Sequence, residues 1–348
     1  MKFELERITR NYISTLTPYS SARDEFSGTA SIFLDANENP YGSVTSEKYN
    51  RYPDPYQQDL KVKIGEIKKI SPTQIFLGNG SDEAIDLLFR IFCEPHQDNI
   101  IITPPTYGMY RVSAETNCTE IREAPLSPEN FQLRPDEILK EVDKNTKIIF
   151  LCSPNNPTGN SLQTLDIQKI IENFSGIVIV DEAYIDFSAS PTWISELKNY
   201  PNLVVLQTFS KAWGLAGLRL GMAFASEAII QLLNKIKLPY NISQIVQETV
   251  LENLSEFKKQ TMVNQVLKER KSLHSKLENL DFVQKIYESD ANFLLIKVDE
   301  AQKIYDQLVT QQIIVRNRSK VILCEDCLRI TVGTETENQV LVETLRNF

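Results

Sequence analysis

A series of short, continuously apolar runs constrains this chain more than any other feature. They are Phe76-Leu77, Ile100-Ile101-Ile102, IIFL at 148–151, IVIV at 177–180 and LVVL at 203–206. The four runs after Phe76-Leu77 are rich in β-branched residues, and each stops at a polar or Pro/Gly cluster. A strand with one wet face alternates apolar and polar residues, whereas continuous apolarity means that both faces are buried. The runs therefore predict an α/β fold: a mostly parallel central sheet covered by helices. Met222-Ala-Phe-Ala225 reads as one more strand. After Gly78-Asn-Gly80, the segment from Ser81 to Arg90 reads as a capped amphipathic helix.

Beyond about residue 235 the character changes. Lys237-Leu-Pro-Tyr-Asn breaks the pattern, and a long charged helical stretch is expected over 244–280. Two later apolar runs, at 292–296 and 328–332, are expected to belong to a small α+β unit. With 348 residues, about two domains are expected. The expected division is an N-terminal arm over 1–30, a large domain over 31–235 and a smaller C-terminal domain over 236–348. The net charge of -9 excludes a polycation built to coat nucleic acid and gives no support to binding an anionic membrane. The first residues lack the apolar core of a secretory signal, and no apolar stretch approaches the length of a membrane span. A cytoplasmic protein is expected. Cysteines number five, an odd count and a poor disulfide framework. Cys324 and Cys327 have the spacing of redox and zinc sites. No second such pair completes a zinc shell, so ordinary reduced cysteines beside a strand, and no metal site, are expected.

In open parallel sheets, ligands sit beyond the carboxyl ends of the strands. There the runs deliver SPNNPTG (153–159), DEAY (181–184) and, after LVVL, the segment SKAWGLAGLRLG (210–221). An amide, a carboxylate, a phenol, a lysine and an arginine would thus meet at one edge. A lysine in an enclosed site can form a Schiff base with an aldehyde. A buried carboxylate can hold a pyridine nitrogen protonated, which makes the ring an electron sink. A serine, an arginine and a Gly-rich helix start can hold a phosphate. Together these demands describe pyridoxal 5'-phosphate.

The same strings resemble the aspartate-aminotransferase-like (fold type I) enzymes that use this cofactor. LDANENPYG (34–42), RYPDPY (51–56), PPTYGMY (104–110), VRNRSK (315–320) and LRITVGT (328–334) resemble, more narrowly, the histidinol-phosphate aminotransferases. The resemblance covers nearly the whole chain in order. It implies that Lys211 carries the Schiff base and then moves the proton between substrate and cofactor, and that Asp181 pairs with the ring nitrogen. It implies that Asn156 and Tyr184 bond the ring's phenolic oxygen and that Tyr107 stacks on the ring. Gly80, Ser81, Asp82, Ser210 and Arg219 would hold the phosphate. Blander roles stay open: Asp181 as a helix cap, Tyr184 and Tyr107 as core residues, the glycines as a tight turn.

For the substrate, the resemblance implies Arg329 as the grip on a carboxylate or phosphate, with Tyr19, Asn37, Tyr52 and Arg316 as further pocket positions. Tyr52 would reach across a homodimer interface into a shared active site. The implied activity is transamination between L-histidinol phosphate and 2-oxoglutarate, with no nucleic-acid or membrane partner. An aromatic-amino-acid transaminase, a phosphothreonine decarboxylase and a non-catalytic cofactor-binding module are the alternatives. Two positions depart from the family pattern, Trp213 where Phe is commoner and Met222 where an aromatic is frequent, which puts pocket shape in question.

Overall fold

The computed structural model describes residues 3–20 and 30–348; residues 1–2 and 21–29 of the expected N-terminal arm lie outside the described residues. Among the described residues, seven strands form one sheet: β1 (Ile75–Asn79), β2 (Asn99–Ile102), β3 (Glu120–Glu123), β4 (Thr146–Cys152), β5 (Ile177–Asp181), β6 (Leu203–Thr208) and β7 (Leu220–Phe224). Their order is β1-β7-β6-β5-β4-β2-β3. Strands β6, β5, β4, β2 and β3 pair in parallel, and β7 runs antiparallel to both of its neighbours. Since β1 is antiparallel to β7, it points the same way as β6. The carboxyl ends of β1, β2, β4, β5 and β6 and the start of β7 therefore share one edge.

Alternate residues of the central strands enter two separate cores. Ile149, Leu151, Val178, Val180 and Val205 face one layer, packed by α3 (Gln58–Lys68) and by helices that follow β3 and β4. Ile148, Phe150, Ile177, Ile179 and Val204 face the other, covered by α4 (Gly80–Phe92) and α5 (Met109–Thr116). This two-sided burial is why the runs are continuously apolar; each such side chain contributes about 1.5–3 kcal/mol. The remaining helices of this body are α6 (Pro135–Lys140), α7 (Thr164–Asn173) and α8 (Glu227–Ile236). Ahead of them, two short helices, α1 (Leu5–Ile8) and α2 (Asn11–Thr15), dock on the second core through Phe3, Leu5, Ile8 and Ile13, and Arg10 Nε donates to Glu94 Oε2 at 2.9 Å.

Three elements differ from expectation. Strand β3 reads Glu-Ile-Arg-Glu, an edge strand too polar and short to register as a buried run. Helix α4 starts one residue earlier than expected, at Gly80, and no side chain caps it. The charged stretch is two helices, α9 (Gln244–Asn253) and α10 (Glu256–Leu277), because Leu254 turns extended and the Ser255 hydroxyl accepts from Lys258 N, starting a new helix.

A second, antiparallel sheet of β8 (Val283–Ile286), β9 (Phe293–Val298), β10 (Arg316–Asn317) and β11 (Cys327–Thr331) follows, in the order β10-β11-β9-β8. It packs with α10, α11 (Ala301–Thr310) and α12 (Glu335–Arg346) around its own core. This is the expected small α+β unit. Val250 of α9 is buried in the core of the larger sheet. Cys324 and Cys327 are buried and unbridged, and Cys327 opens β11.

Candidate active site

The shared edge begins with an anion cradle. Gly80 follows β1 in the left-handed region (φ +70°), and its N–H donates to Arg219 O at 2.7 Å. A Cβ on Gly80 would lie 2.9 Å from the Arg219 guanidinium, and one on Gly221 would lie 2.1 Å from Ser81 N. Only glycine at both positions lets the first turn of α4 rest on the start of β7. Because no side chain caps α4, the N–H groups of Ser81 and Asp82 and the positive end of its dipole remain for a bound anion, whereas Gly80, its own N–H taken by Arg219 O, serves the cradle through its backbone shape alone. Arg219 stands exposed beside them, held by Ala216 O at 3.3 Å and at 4.0 Å from the Asp82 carboxylate. Ser210 sits opposite, its N–H on Thr208 Oγ1 at 3.1 Å. The Asp82 carboxylate would repel a phosphate; it accepts from the Tyr107 hydroxyl at 3.2 Å instead, so its usable contribution is the backbone N–H.

Next to the cradle lies a cavity of about 180 Å³, lined among others by Tyr107, Asn156, Asp181, Tyr184 and Lys211. Asp181, the last residue of β5, is 3 % exposed. Its Oδ2 accepts from the Tyr110 hydroxyl at 2.7 Å and its Oδ1 from Ala183 N at 3.1 Å. The second bond is the local cap left open above, yet the carboxylate also faces the cavity. Burial raises its pKa to about 6, against the two donors that favour the charge. Tyr184 is buried edge-on to Phe293 at 5.2 Å, and its hydroxyl bonds no described residue. A core tyrosine would have satisfied that hydroxyl. Lys211 follows β6, with Nζ 5.7 Å from the Tyr184 ring centroid. It opens onto the cavity; partial burial, then Arg329, lower its pKa. Asn156 is buried and its Oδ1 accepts from Arg329 Nη1, so its amide N–H groups are what it can offer the cavity.

Such a donor set fits pyridoxal 5'-phosphate. A cradle of uncapped N–H groups, an arginine and a serine suits the phosphate, and the buried carboxylate suits a ring nitrogen. The unpartnered phenol suits a ring oxygen, and the lysine suits an aldehyde. Trp213 packs on Phe209 and Met222 is buried in the sheet core; neither lines the cavity. Those two departures therefore leave the cavity wall unchanged.

Over the mouth, β10 and β11 place Arg316 opposite Arg329. Arg318 lies close by, an arginine of VRNRSK for which no role was expected. Among the described residues, none of the three has an acidic partner; the Nε atoms of Arg318 and Arg329 are buried without a hydrogen bond. Burial, then Arg329 and Arg316, lower the pKa of Arg318 to about 10. Unneutralised, partly buried guanidinium groups are costly unless an anion completes them. The chain does not bring Tyr19, Asn37 and Tyr52 to this cavity. They line a separate hollow of about 530 Å³ with Tyr240, on which Tyr52 stacks at 4.5 Å. Tyr110 and Arg318 are functional candidates missed in the sequence, although both lie inside the quoted motifs.

Comparison with known proteins agrees with this geometry. The family model for aminotransferase class I and II matches residues 30–345. The histidinol-phosphate aminotransferase of Cytophaga hutchinsonii is 53% identical over 100% of both chains. The chain belongs to the class I and II aminotransferases, among the histidinol-phosphate aminotransferases. Two solved members of this family share the fold. That from Clostridium acetobutylicum has a TM-score of 0.79 at 24% identity, covering 86% of this chain and 90% of its own. That from Sinorhizobium meliloti, in complex with pyridoxal-5'-phosphate, has a TM-score of 0.79 at 21% identity, covering 90% and 89%.

Proposed function

We propose that this chain is a pyridoxal 5'-phosphate-dependent transaminase. It exchanges the amino group between L-histidinol phosphate and 2-oxoglutarate, giving imidazole-acetol phosphate and glutamate, as a step of histidine biosynthesis. One observation carries the proposal: Lys211, buried Asp181 and the uncapped start of α4 converge at one sheet edge, beneath three arginines that lack acidic partners among the described residues. When bound, the cofactor supplies an aldehyde that takes the amino group and a ring that accepts the electron pair released at the substrate Cα.

The chain's own groups do the rest. The first N–H groups of α4, Ser210 and Arg219 hold the cofactor phosphate, and Tyr107 covers the ring. Asp181 holds a proton on the ring nitrogen; Asn156 and Tyr184 bond the phenolic oxygen. Lys211 Nζ, its basicity lowered by burial and by Arg329, would take the proton from the substrate Cα and pass it, on the same face, to the cofactor carbon that carried the aldehyde. Arg329 and Arg316 grip the substrate phosphate or the oxo acid's carboxylates, both of which suit a planar, always charged fork.

The remainder of the proposal is a large domain over 31–235 and a small one over 236–348, supported by the two separate sheets. It includes a homodimer in which Tyr19, Asn37 and Tyr52 serve the neighbouring protomer's cavity, supported by their clustering apart from Lys211 in their own chain. A cytoplasmic location is also proposed; no described helix is long and apolar enough to cross a membrane.

A panel of histidinol phosphate, phenylalanine and phosphothreonine, each with 2-oxoglutarate and added cofactor, tests the substrate. The arginines predict the highest kcat/KM for histidinol phosphate, by about a hundredfold or more over phenylalanine. Phenylalanine as the preferred substrate, or carbon dioxide release from phosphothreonine, overturns the assignment.

A further inference from the structure

Asp181 sits in the sheet edge, and among the described residues no cation is bonded to it. Two groups donate to it, the Ala183 N–H and the Tyr110 hydroxyl. Of the charged groups that face it, Lys211 beyond β6 favours its charge, and Asp82 of α4 opposes it. Cys152 at the end of β4, Tyr107, Tyr110 and Tyr184 also surround it, and burial keeps all four neutral. Tyr110 is fully buried on α5, its ring stacked on Phe150 at 4.5 Å and edge-on to Tyr107 at 5.6 Å. A phenol that cannot ionise is a permanent donor. It is also wedged between strand β4 and the tyrosine that flanks the cavity, where its hydroxyl meets two buried groups, the Cys152 thiol and the Asp181 carboxylate, and donates to the carboxylate, the far stronger acceptor.

We propose that Tyr110 is a positioning residue for the transamination: its hydroxyl, donating to Oδ2 of Asp181, keeps that buried carboxylate ionised and fixed in orientation toward the cofactor's ring nitrogen. The proposal rests on Asp181 being the ring-nitrogen partner. A carboxylate oxygen offers two lone-pair positions, so each oxygen retains one after its protein donor is satisfied. Without the hydroxyl, the carboxylate keeps one donor in the same buried setting and takes up a proton more readily. A protonated Asp181 cannot hold a pyridinium. The rival account is that Asp181 serves Tyr110, merely satisfying a core phenol.

Tyr110→Phe separates the two, because it preserves the stacked ring. The cofactor-loaded variant is compared with the wild type and with Asp181→Asn. If Tyr110 positions Asp181, kcat falls about tenfold with KM nearly unchanged, and the acid limb of the kcat profile moves up by about one pH unit, the worth of one hydrogen bond to a charged group. The visible absorbance of the bound cofactor titrates with the same shift, and cofactor affinity drops. A fluorinated tyrosine at position 110 alone, a stronger donor of nearly the same shape, moves the limb the opposite way, and it serves where the phenylalanine variant folds poorly. A lowered melting temperature with the pH profile and absorbance unmoved overturns the proposal, provided Asp181→Asn is crippled. If Asp181→Asn is itself unimpaired, the assignment of Asp181 fails, and the role of Tyr110 falls with it.

Discussion

Arg329 of β11 donates through Nη1 to Oδ1 of Asn156, the residue that SPNNPTG places just beyond β4. The bond joins the small sheet to the large one directly over the cavity, and it leaves the Arg329 Nε buried and unpartnered. One guanidinium therefore fixes the Asn156 amide and keeps a donor in reserve for an anion.

Replacing Arg329 by Lys keeps the charge and loses the fork. Because a lysine ammonium cannot donate to Asn156 and to an anion in the same planar geometry, KM for both substrates should rise about tenfold or more. Steady-state kinetics with each substrate varied in turn checks this. Unchanged KM values would place the anion grip elsewhere, with Arg316 and Arg318 as the next candidates.

Arg219→Ala removes the side chain from the cradle while leaving the N–H groups of α4. Cofactor affinity should fall by about ten- to a hundredfold, as expected for one charge-assisted bond to phosphate. Titration of the apo-protein with cofactor, followed by absorbance, measures it. Addition of inorganic phosphate should compete more weakly in the variant than in the wild type.

Glu182, next to Asp181, is buried and accepts from Trp193 N at 2.7 Å, Gln207 Nε2 at 2.8 Å and the Thr192 hydroxyl at 2.5 Å. Burial nonetheless raises its pKa from 4.5 to about 7. Below about 4.5 the folded and unfolded chains both carry the proton; between there and about 7 only the folded chain keeps it, so stability falls as pH rises through that window. The loss is on the order of 3 kcal/mol at most. Glu182→Gln should flatten the drop in thermal midpoint of the apo-protein between about pH 5 and about pH 7.5. Parallel curves for variant and wild type would refute the assignment.

Tyr52 lies 49 % exposed beside a hollow that is not the Lys211 cavity. If it serves the other protomer, then mixing inactive Lys211→Ala with impaired Tyr52→Ala protein should restore about a quarter of wild-type activity. Half of the dimers would be mixed, each with one intact site. No recovery after subunit exchange would confine Tyr52 to its own chain.

The sequence was legible where burial was two-sided. Residues such as Ile149 and Val178 had to be apolar whichever way they pointed, so β2, β4, β5 and β6 announced themselves, and their polar followers marked the edge where Asp181, Asn156 and Lys211 meet. Strand β3 escaped because an edge strand pairs on one side only and can be written in charged residues. The break at Leu254 and Ser255 escaped because two extended residues between two helices barely perturb periodicity. Tyr110 escaped for another reason: its motif pointed to Tyr107, and only the tertiary path of α5 brings the second ring under Asp181. Arg318 likewise needed the β10–β11 pairing, since nothing in the string VRNRSK tells which arginine is drawn inward, its Nε buried, and which stays exposed.

The reversed strand β7 has a consequence for how this protein tolerates change. It starts at the working rim, where β6 ends, so the segment between Lys211 and Arg219 stays on that rim as a strap fixed at both ends. The far rim, where exposed residues such as Lys144 and Lys198 precede β4 and β6, carries no such constraint. Insertions, tags or grafted loops belong there, while even a one-residue change in the strap would pull the amine and the guanidinium out of step.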